Sequence, residues 1–271
     1  MNAQPATSVQ LTDSPRYAES LAGQLLQAET DRIACAPLTD SKPDLSIELA
    51  YRIQDEALSQ RIERGETITG IKLGLTSPAK QEQMGVSAPL TAWLTDAMAL
   101  PVGTPLPHDR LIHPRVEPEI TFVMGRRLAG PGVTAATALA AVDRVYASLE
   151  VIDSRYLDFR FTLPDVIADN ASSAYYVTGP IGANPTDLNL RLEGCLLHVG
   201  GRLAASGLGA AVQGHPAEAL ALAANSLAQR GHAIEAGWIV MTGGITDAVA
   251  ANPGATINAQ FTHLGSVDII S

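Results

Sequence analysis

Glu117 and Glu119 stand two residues apart in Arg115-Val116-Glu117-Pro118-Glu119-Ile120-Thr121-Phe122, and a third acid follows in Leu149-Glu150-Val151. As a strand, the first stretch puts Val116, Pro118, Ile120, Phe122 and Met124 on one face and both glutamates on the other. Adjacent like charges repel, so the pair persists at low cost only where the face is well solvated or where a cation lies between the carboxylates. Glu150 sits in 145–152, where apolar and polar residues alternate in the same way. Three strand-borne carboxylates suit a hard octahedral ion, Mg²⁺ or Mn²⁺. The spacing also fits an ordinary solvated sheet face, and these residues alone leave both readings open.

A second candidate is Lys72 in Gly70-Ile71-Lys72-Leu73-Gly74-Leu75-Thr76-Ser77. A lysine within an apolar strand is unusual, and the flanking glycines permit close approach of another backbone or a ligand. Near three carboxylates, its ammonium would offset their charge, attract an anionic substrate or carry a proton. An outward-facing residue on a half-exposed strand is the alternative. The stretch Ile167-Ala168-Asp169-Asn170-Ala171-Ser172-Ser173 reads either as a capped turn or as a ligand loop. Thr242-Gly243-Gly244-Ile245 is too short for a phosphate loop, and no Gly-x-Ser-x-Gly elbow is present.

The surrounding pattern predicts the elements that must position these groups. The first fourteen residues are polar and expected to fray. Helices are expected over 16–34, over 46–65 with Ser46 as cap and Gly65 as stop, over the Ala-rich 134–144, and over 216–230 after His215. Strands are expected at 67–73, 196–199, 202–205, 238–242, 256–262 and 267–270. Runs of strands with few interspersed helices argue for an α+β fold, with an N-terminal helical region over 1–65 and a β-rich catalytic domain over 66–271.

Composition narrows the class. The chain has 271 residues, 46% of them hydrophobic, and can bury a full core. Its formal net charge of −10 disfavours nucleic acid as a partner. It carries no apolar run of transmembrane length and no signal-peptide layout at its start, so a cytoplasmic protein without membrane contact is expected. Cys35 and Cys195 match no ligand spacing, and the six histidines include no i,i+4 pair, which disfavours a histidine zinc site.

Taken together, the stretches are a resemblance. From about residue 40 onward the chain resembles the 2-oxopent-4-enoate hydratase and 4-oxalocrotonate decarboxylase group within the fumarylacetoacetate hydrolase superfamily. The matching words are 70–77, Gln83-Met84-Gly85-Val86, His113-Pro114-Arg115-Val116-Glu117-Pro118-Glu119-Ile120, 149–156, Ala168-Asp169-Asn170-Ala171-Ser172-Ser173 and Met241-Thr242-Gly243-Gly244, all in the same order. The resemblance implies a divalent metal held by Glu117, Glu119 and Glu150, Lys72 as an active-site base or charge partner, and Ser172 near a small 2-oxo acid. It also implies the superfamily's mixed β-roll, a homo-oligomer, and association with a homologous hydratase.

Two departures from hydratase wording favour the decarboxylase branch. Leu90 follows Pro89 where hydratases of the group place an Asp that could hold water, and the wording from Asp153-Ser154-Arg155-Tyr156 to Phe159-Arg160-Phe161 is that of decarboxylases. Arg155 and Arg160 are then candidates to orient the second carboxylate of a diacid. The expected reaction is decarboxylation of 2-oxohex-3-enedioate to 2-hydroxypenta-2,4-dienoate. Hydration of 2-hydroxypenta-2,4-dienoate to 4-hydroxy-2-oxopentanoate is the alternative, and a non-catalytic partner of an active homologue is a third class that a catalytic Lys72 argues against.

Overall fold

The structure is a computed structural model that describes residues 15–77, 81, 82, 84–86 and 88–271. The frayed segment expected over the first fourteen residues, and Gln83 of the motif above, lie outside these. Helices α1 (Pro15–Asp31), α2 (Leu38–Ser41) and α3 (Ile47–Glu63) open the described chain. Ser46 caps α3 as expected: its Oγ accepts the Leu49 N–H at 3.1 Å, one of the donors a helix start leaves unpaired. Leu49, Ala50, Ile53 and Ala57 form the buried stripe of α3.

The rest is dominated by strands. A seven-stranded sheet is built from β1 (Ile68–Gly74), β2 (Leu90–Thr95), β3 (Arg115–Met124), β4 (Val142–Ile152), β5 (Ser173–Thr178), β8 (Ile239–Gly244) and the short β9 (Val249–Ala250). Its order is β2-β1-β8-β3-β4-β5, with β9 pairing beside β3. Among the described residues only β1 and β8 of this sheet run parallel, so the sheet is mixed. Strands β6 (Gly194–Val199), β7 (Arg202–Leu208), β10 (Thr256–Phe261) and β11 (Ser266–Ile270) form a second sheet in the order β11-β10-β6-β7.

One core joins the two sheets and α6 (Pro216–Gln229): Val116, Ile120 and Phe122 meet Leu197, Ile257, Val267, Ala219, Leu220 and Ala223. A second core joins α1, α3 and α5 (Leu163–Ala168) through Ala22, Leu25, Ile53 and Ile167, and it takes in Leu90 and Ala92 of β2 together with Tyr156 and Ala171. This α+β architecture is the expected one. The Ala-rich helix is shorter than expected: α4 spans Ala135–Leu139, and β4 has begun by Val142. Val142 pairs with Met124 and the Ala141 carbonyl accepts the Gly125 N–H at 2.8 Å, so the β3–β4 hairpin overrides local helix propensity.

Candidate metal centre and active site

The alternation of β3 holds. Val116, Ile120 and Phe122 are fully buried in the main core, which turns Arg115, Glu117, Glu119 and Thr121 to the other face. Glu117 lies directly opposite Glu150 on β4, and Glu119 opposite Ser148. On its other side β3 meets β8 with a register shift, from the pair Glu119–Gly244 to the pair Thr121–Met241. That shift gives β8 one extra residue and re-aims its backbone. The Gly243 N–H donates to Glu119 Oε2 at 2.7 Å.

Only glycine fits here. Gly243 has φ +108°, and a Cβ on it would lie 2.0 Å from Thr76 Oγ1, while one on Gly244 would lie 2.8 Å from Glu117 Oε2. Sequence reasoning dismissed this glycine pair as a phosphate loop and so missed its work, which is to let β8 press against the carboxylates. The available signals were two adjacent glycines ending an apolar strand and their place in the matching word Met241-Thr242-Gly243-Gly244.

Glu117, Glu119 and Glu150 each offer an oxygen, and these oxygens lie within 4.8 Å of one another. Glu119 and Glu150 are buried, and Glu119 Oε1 is enclosed without a hydrogen-bond donor. An enclosed carboxylate oxygen without a donor is costly unless a cation takes it. Lys72, also buried, donates from Nζ to Glu150 Oε2 at 3.2 Å and stands 3.0 Å from Oε1. One ammonium against three carboxylates leaves two negative charges, matching a divalent ion. The donor set therefore fits Mg²⁺ or Mn²⁺. Burial, reinforced by the Glu150 and Glu117 carboxylates, pushes Glu119 well above the usual carboxylate range.

The glycines beside Lys72 admit protein rather than ligand. A Cβ on Gly70 would lie 2.1 Å from the Ile239 carbonyl oxygen, and one on Gly74 would lie 2.7 Å from Leu90 Cδ1 and 3.7 Å from Ala171 Cβ. Leu90 and the loop that carries Ser172 thus both lie against the strand that carries Lys72.

That loop is tightly determined. Asn170, Ala171 and Ser172 all have positive φ, at 48°, 50° and 59°, a run that non-glycine residues adopt only when the surroundings enforce it. The Asn170 side chain accepts the Trp93 N–H at 2.8 Å and donates to the Trp93 carbonyl at 2.9 Å. Asp169 accepts from Ser172 Oγ at 3.2 Å, from the Arg155 N–H at 3.2 Å, and from Arg155 Nε in a short contact. Arg155 Nη1 also donates to the Asp153 carbonyl at 2.7 Å and to the Ser173 carbonyl at 3.0 Å. Burial pushes Asp169 up to about 6, against the opposing pull of Arg155.

No protein-family model matches the chain. A 4-oxalocrotonate decarboxylase from Pseudomonas putida is 44% identical over 248 residues, which cover 92% of this chain and 94% of the relative. A 2-hydroxyhexa-2,4-dienoate hydratase from Comamonas testosteroni is 36% identical over 256 residues, covering 94% of this chain and 97% of the relative. The solved 4-oxalocrotonate decarboxylase from Pseudomonas putida G7, complexed with magnesium and adipate, superposes with a TM-score of 0.93 at 40% identity, covering 95% of this chain and 98% of that one. The chain belongs to the family of 4-oxalocrotonate decarboxylases and related dienoate hydratases.

Within this member of the decarboxylase and hydratase group, the structure brings Lys72, Glu117, Glu119 and Glu150 onto one sheet face, and ties Ser172 to the end of that face where the Asp153 N–H donates to the Ser172 carbonyl at 2.8 Å. Leu90 lies in the apolar core beside Gly74. The arginines sit elsewhere. Arg155 is buried and committed to Asp169. Arg160 is exposed, and its two Nη atoms donate to Asp40 at 3.1 and 2.6 Å.

Proposed function

We propose that this protein is a metal-dependent carboxy-lyase that converts 2-oxohex-3-enedioate (4-oxalocrotonate) to 2-hydroxypenta-2,4-dienoate and CO₂. The observation that carries this reading is the cluster of half-buried Glu117 with buried Glu119, Glu150 and Lys72 on one sheet face, in a chain similar to decarboxylases over nearly its whole length. A Mg²⁺ or Mn²⁺ ion held by the three glutamates would, when bound, supply the Lewis acid that draws electrons through the 2-oxo group.

The chain's own residues do the rest. Lys72 Nζ, ion-paired to Glu150 in a buried site, holds a proton where an anionic 2-oxo acid must arrive, and returns it to the oxygen that becomes the 2-hydroxyl as the departing carboxylate leaves as CO₂. Ser172, whose hydroxyl donates to Asp169, lies on the loop beside the substrate. Arg155 acts at one remove, by holding Asp169 and the backbone on both sides of the loop. Leu90 keeps the wall beside Gly74 apolar, which disfavours a carboxylate relative to neutral CO₂ and offers no group to hold an attacking water.

A homo-oligomer is part of the same reading. Leu196, Leu203, Leu208 and Ile270 share the outer face of the four-stranded sheet and are 43%, 59%, 47% and 47% exposed, apolar side chains that a second subunit would cover. We also place the enzyme in the cytoplasm, with a homologous hydratase as the partner that consumes its product. No described helix is long and apolar enough to cross a membrane, and both cysteines are unpaired.

The hydratase activity of the 36% identical relative is the competing reading. Supplying 2-oxohex-3-enedioate and 2-hydroxypenta-2,4-dienoate separately, with and without Mg²⁺, decides between them. Mg²⁺-dependent CO₂ release from the diacid is expected. Conversion of the dienoate to 4-hydroxy-2-oxopentanoate without CO₂ release from the diacid overturns the proposal.

A further inference from the structure

A diacid substrate brings a second carboxylate, and the cations considered so far are occupied. Lys72 is paired with Glu150, Arg155 with Asp169, and Arg160 with Asp40 on the surface. Strand β3 supplies one more. Arg115 follows the two-residue alternation that places Glu117 and Glu119 on the site face, and lies opposite Ile152, the next same-face pair beyond Glu117 and Glu150. One same-face step along a strand is about 7 Å. Arg115 therefore stands at the outer end of the row of metal-ligand candidates, at the distance a six-carbon chain anchored on them would reach.

Its setting suits anion capture. The Arg115 guanidinium carbon lies 4.0 Å from the centroid of the Phe159 ring, and Phe159 packs on His113 with ring centroids 4.7 Å apart. His113 is itself tied by Nε2 to the Ser154 carbonyl at 2.8 Å. Asp158 and Phe159 both have positive φ, at 57° and 55°, so the turn that presents the ring is as tightly determined as the Ser172 loop. Stacking on an aromatic face fixes the guanidinium plane while leaving its edge N–H groups free to donate in pairs to a carboxylate. Arg115 is exposed and forms no ion pair with an acid among the described residues. It faces an open recess of about 650 Å³ shared with His108, His113, Asp158, Phe159 and Asn252.

We propose that Arg115 binds the remote carboxylate of the substrate and so distinguishes a six-carbon diacid from a 2-oxo acid with an uncharged tail. This rests on the decarboxylase reading above and adds to it the residue that selects the diacid. Phe159 and His113 act as the platform that holds the cation in place.

The test compares the parent with Arg115→Met, which keeps the stem and removes the charge, and with Arg115→Lys. Calorimetric binding of adipate and of 2-oxobutanoate to the Mg²⁺-loaded proteins is measured beside KM and kcat for 2-oxohex-3-enedioate. Arg115→Met should weaken adipate binding and raise KM by about tenfold or more, the scale of a lost charge-assisted hydrogen-bond pair at a partly solvated site. Binding of 2-oxobutanoate and the Mg²⁺-dependent rise in melting temperature should stay within error, and Arg115→Lys should recover part of the loss. Unchanged adipate binding in Arg115→Met, or equal weakening of both ligands, overturns the assignment. A parent that releases no CO₂ from the diacid overturns the decarboxylase reading instead, whereas CO₂ release by the parent with an indifferent Arg115→Met overturns Arg115 alone.

Discussion

Glu119→Gln should change the sign of its effect on stability according to whether metal is present. In the parent without metal, Glu119 is fully buried beside two other carboxylates whose oxygens lie within 4.8 Å. At that separation and an effective dielectric constant near 20, each like-charge pair costs about 3 kcal/mol if both groups are ionised. The cost is why burial and the Glu150 and Glu117 carboxylates push Glu119 toward the neutral form. A glutamine amide has nearly the shape of a protonated glutamate, and its oxygen can still accept the Gly243 N–H that Glu119 Oε2 accepts at 2.7 Å. In EDTA the variant should therefore be at least as stable as the parent. Adding Mg²⁺ at a hundred times its dissociation constant should stabilise the parent by about 2.7 kcal/mol, a rise of roughly 5 °C in melting temperature for a chain of this size. The variant, lacking one charged ligand, should gain little. Thermal unfolding followed by circular dichroism, in EDTA and across a Mg²⁺ titration, reads both halves. A variant that keeps the parent's Mg²⁺-dependent shift would refute the assignment of Glu119 as a ligand, and one that is several kcal/mol less stable than the parent in EDTA would refute the electrostatic argument.

Other perturbations separate the remaining roles. Lys72→Met should cut turnover at least about a hundredfold yet keep the Mg²⁺-dependent thermal shift, and should lose about 3 kcal/mol in EDTA because Glu150 is left as an unpartnered buried charge; turnover equal to the parent's would make Lys72 a structural residue. Because Asp169 is pushed up to about 6 by burial, its ionised form, which grips Arg155 and Ser172, is depleted as pH falls through that value. The pH profile of kcat/KM should accordingly descend on its acid side near pH 6, and Asp169→Asn should be slow and lack that limb; a variant retaining the same limb assigns it to another group. Gly74→Ala would put a Cβ 2.7 Å from Leu90 Cδ1 and should cost about 1–3 kcal/mol by overpacking. Adding Leu90→Ala should relieve part of that, so a double-mutant cycle by urea unfolding that shows simple additivity would mean the two positions do not press on each other.

Elements with a strong local signal were legible in the sequence. The apolar face of β3, the Ser46 cap of α3 and the Pro216 start of α6 all stand where pattern and capping chemistry place them. The stretch 134–144 was not legible. Its alanines favour a helix locally, but Ala141 and Val142 are held by pairing with Gly125 and Met124, and a pairing partner's register is not written in the segment that it captures. Leu90 was singled out by its departure from the hydratase wording; that it closes one wall of the second core beside Gly74 depends on how β2 meets the helices.

The site divides along the same line. Side chains that carry charge on a strand announce their face by parity, which set Glu117 beside Glu119, and the family resemblance joined Glu150 to them before any contact was known. Parity within one strand also applied to Arg115, four residues before Glu119, but its seat on Phe159 depends on a turn of positive-φ residues that no local rule anticipates. The arginines favoured by their wording, Arg155 and Arg160, are instead consumed by Asp169 and Asp40, acids 14 and 120 residues away in the chain. Sequence can show which cations a chain owns. Which of them remains free for a ligand is a property of long-range pairing, so Arg115 could be proposed as the group selecting the second carboxylate only once the acids among the described residues had been placed.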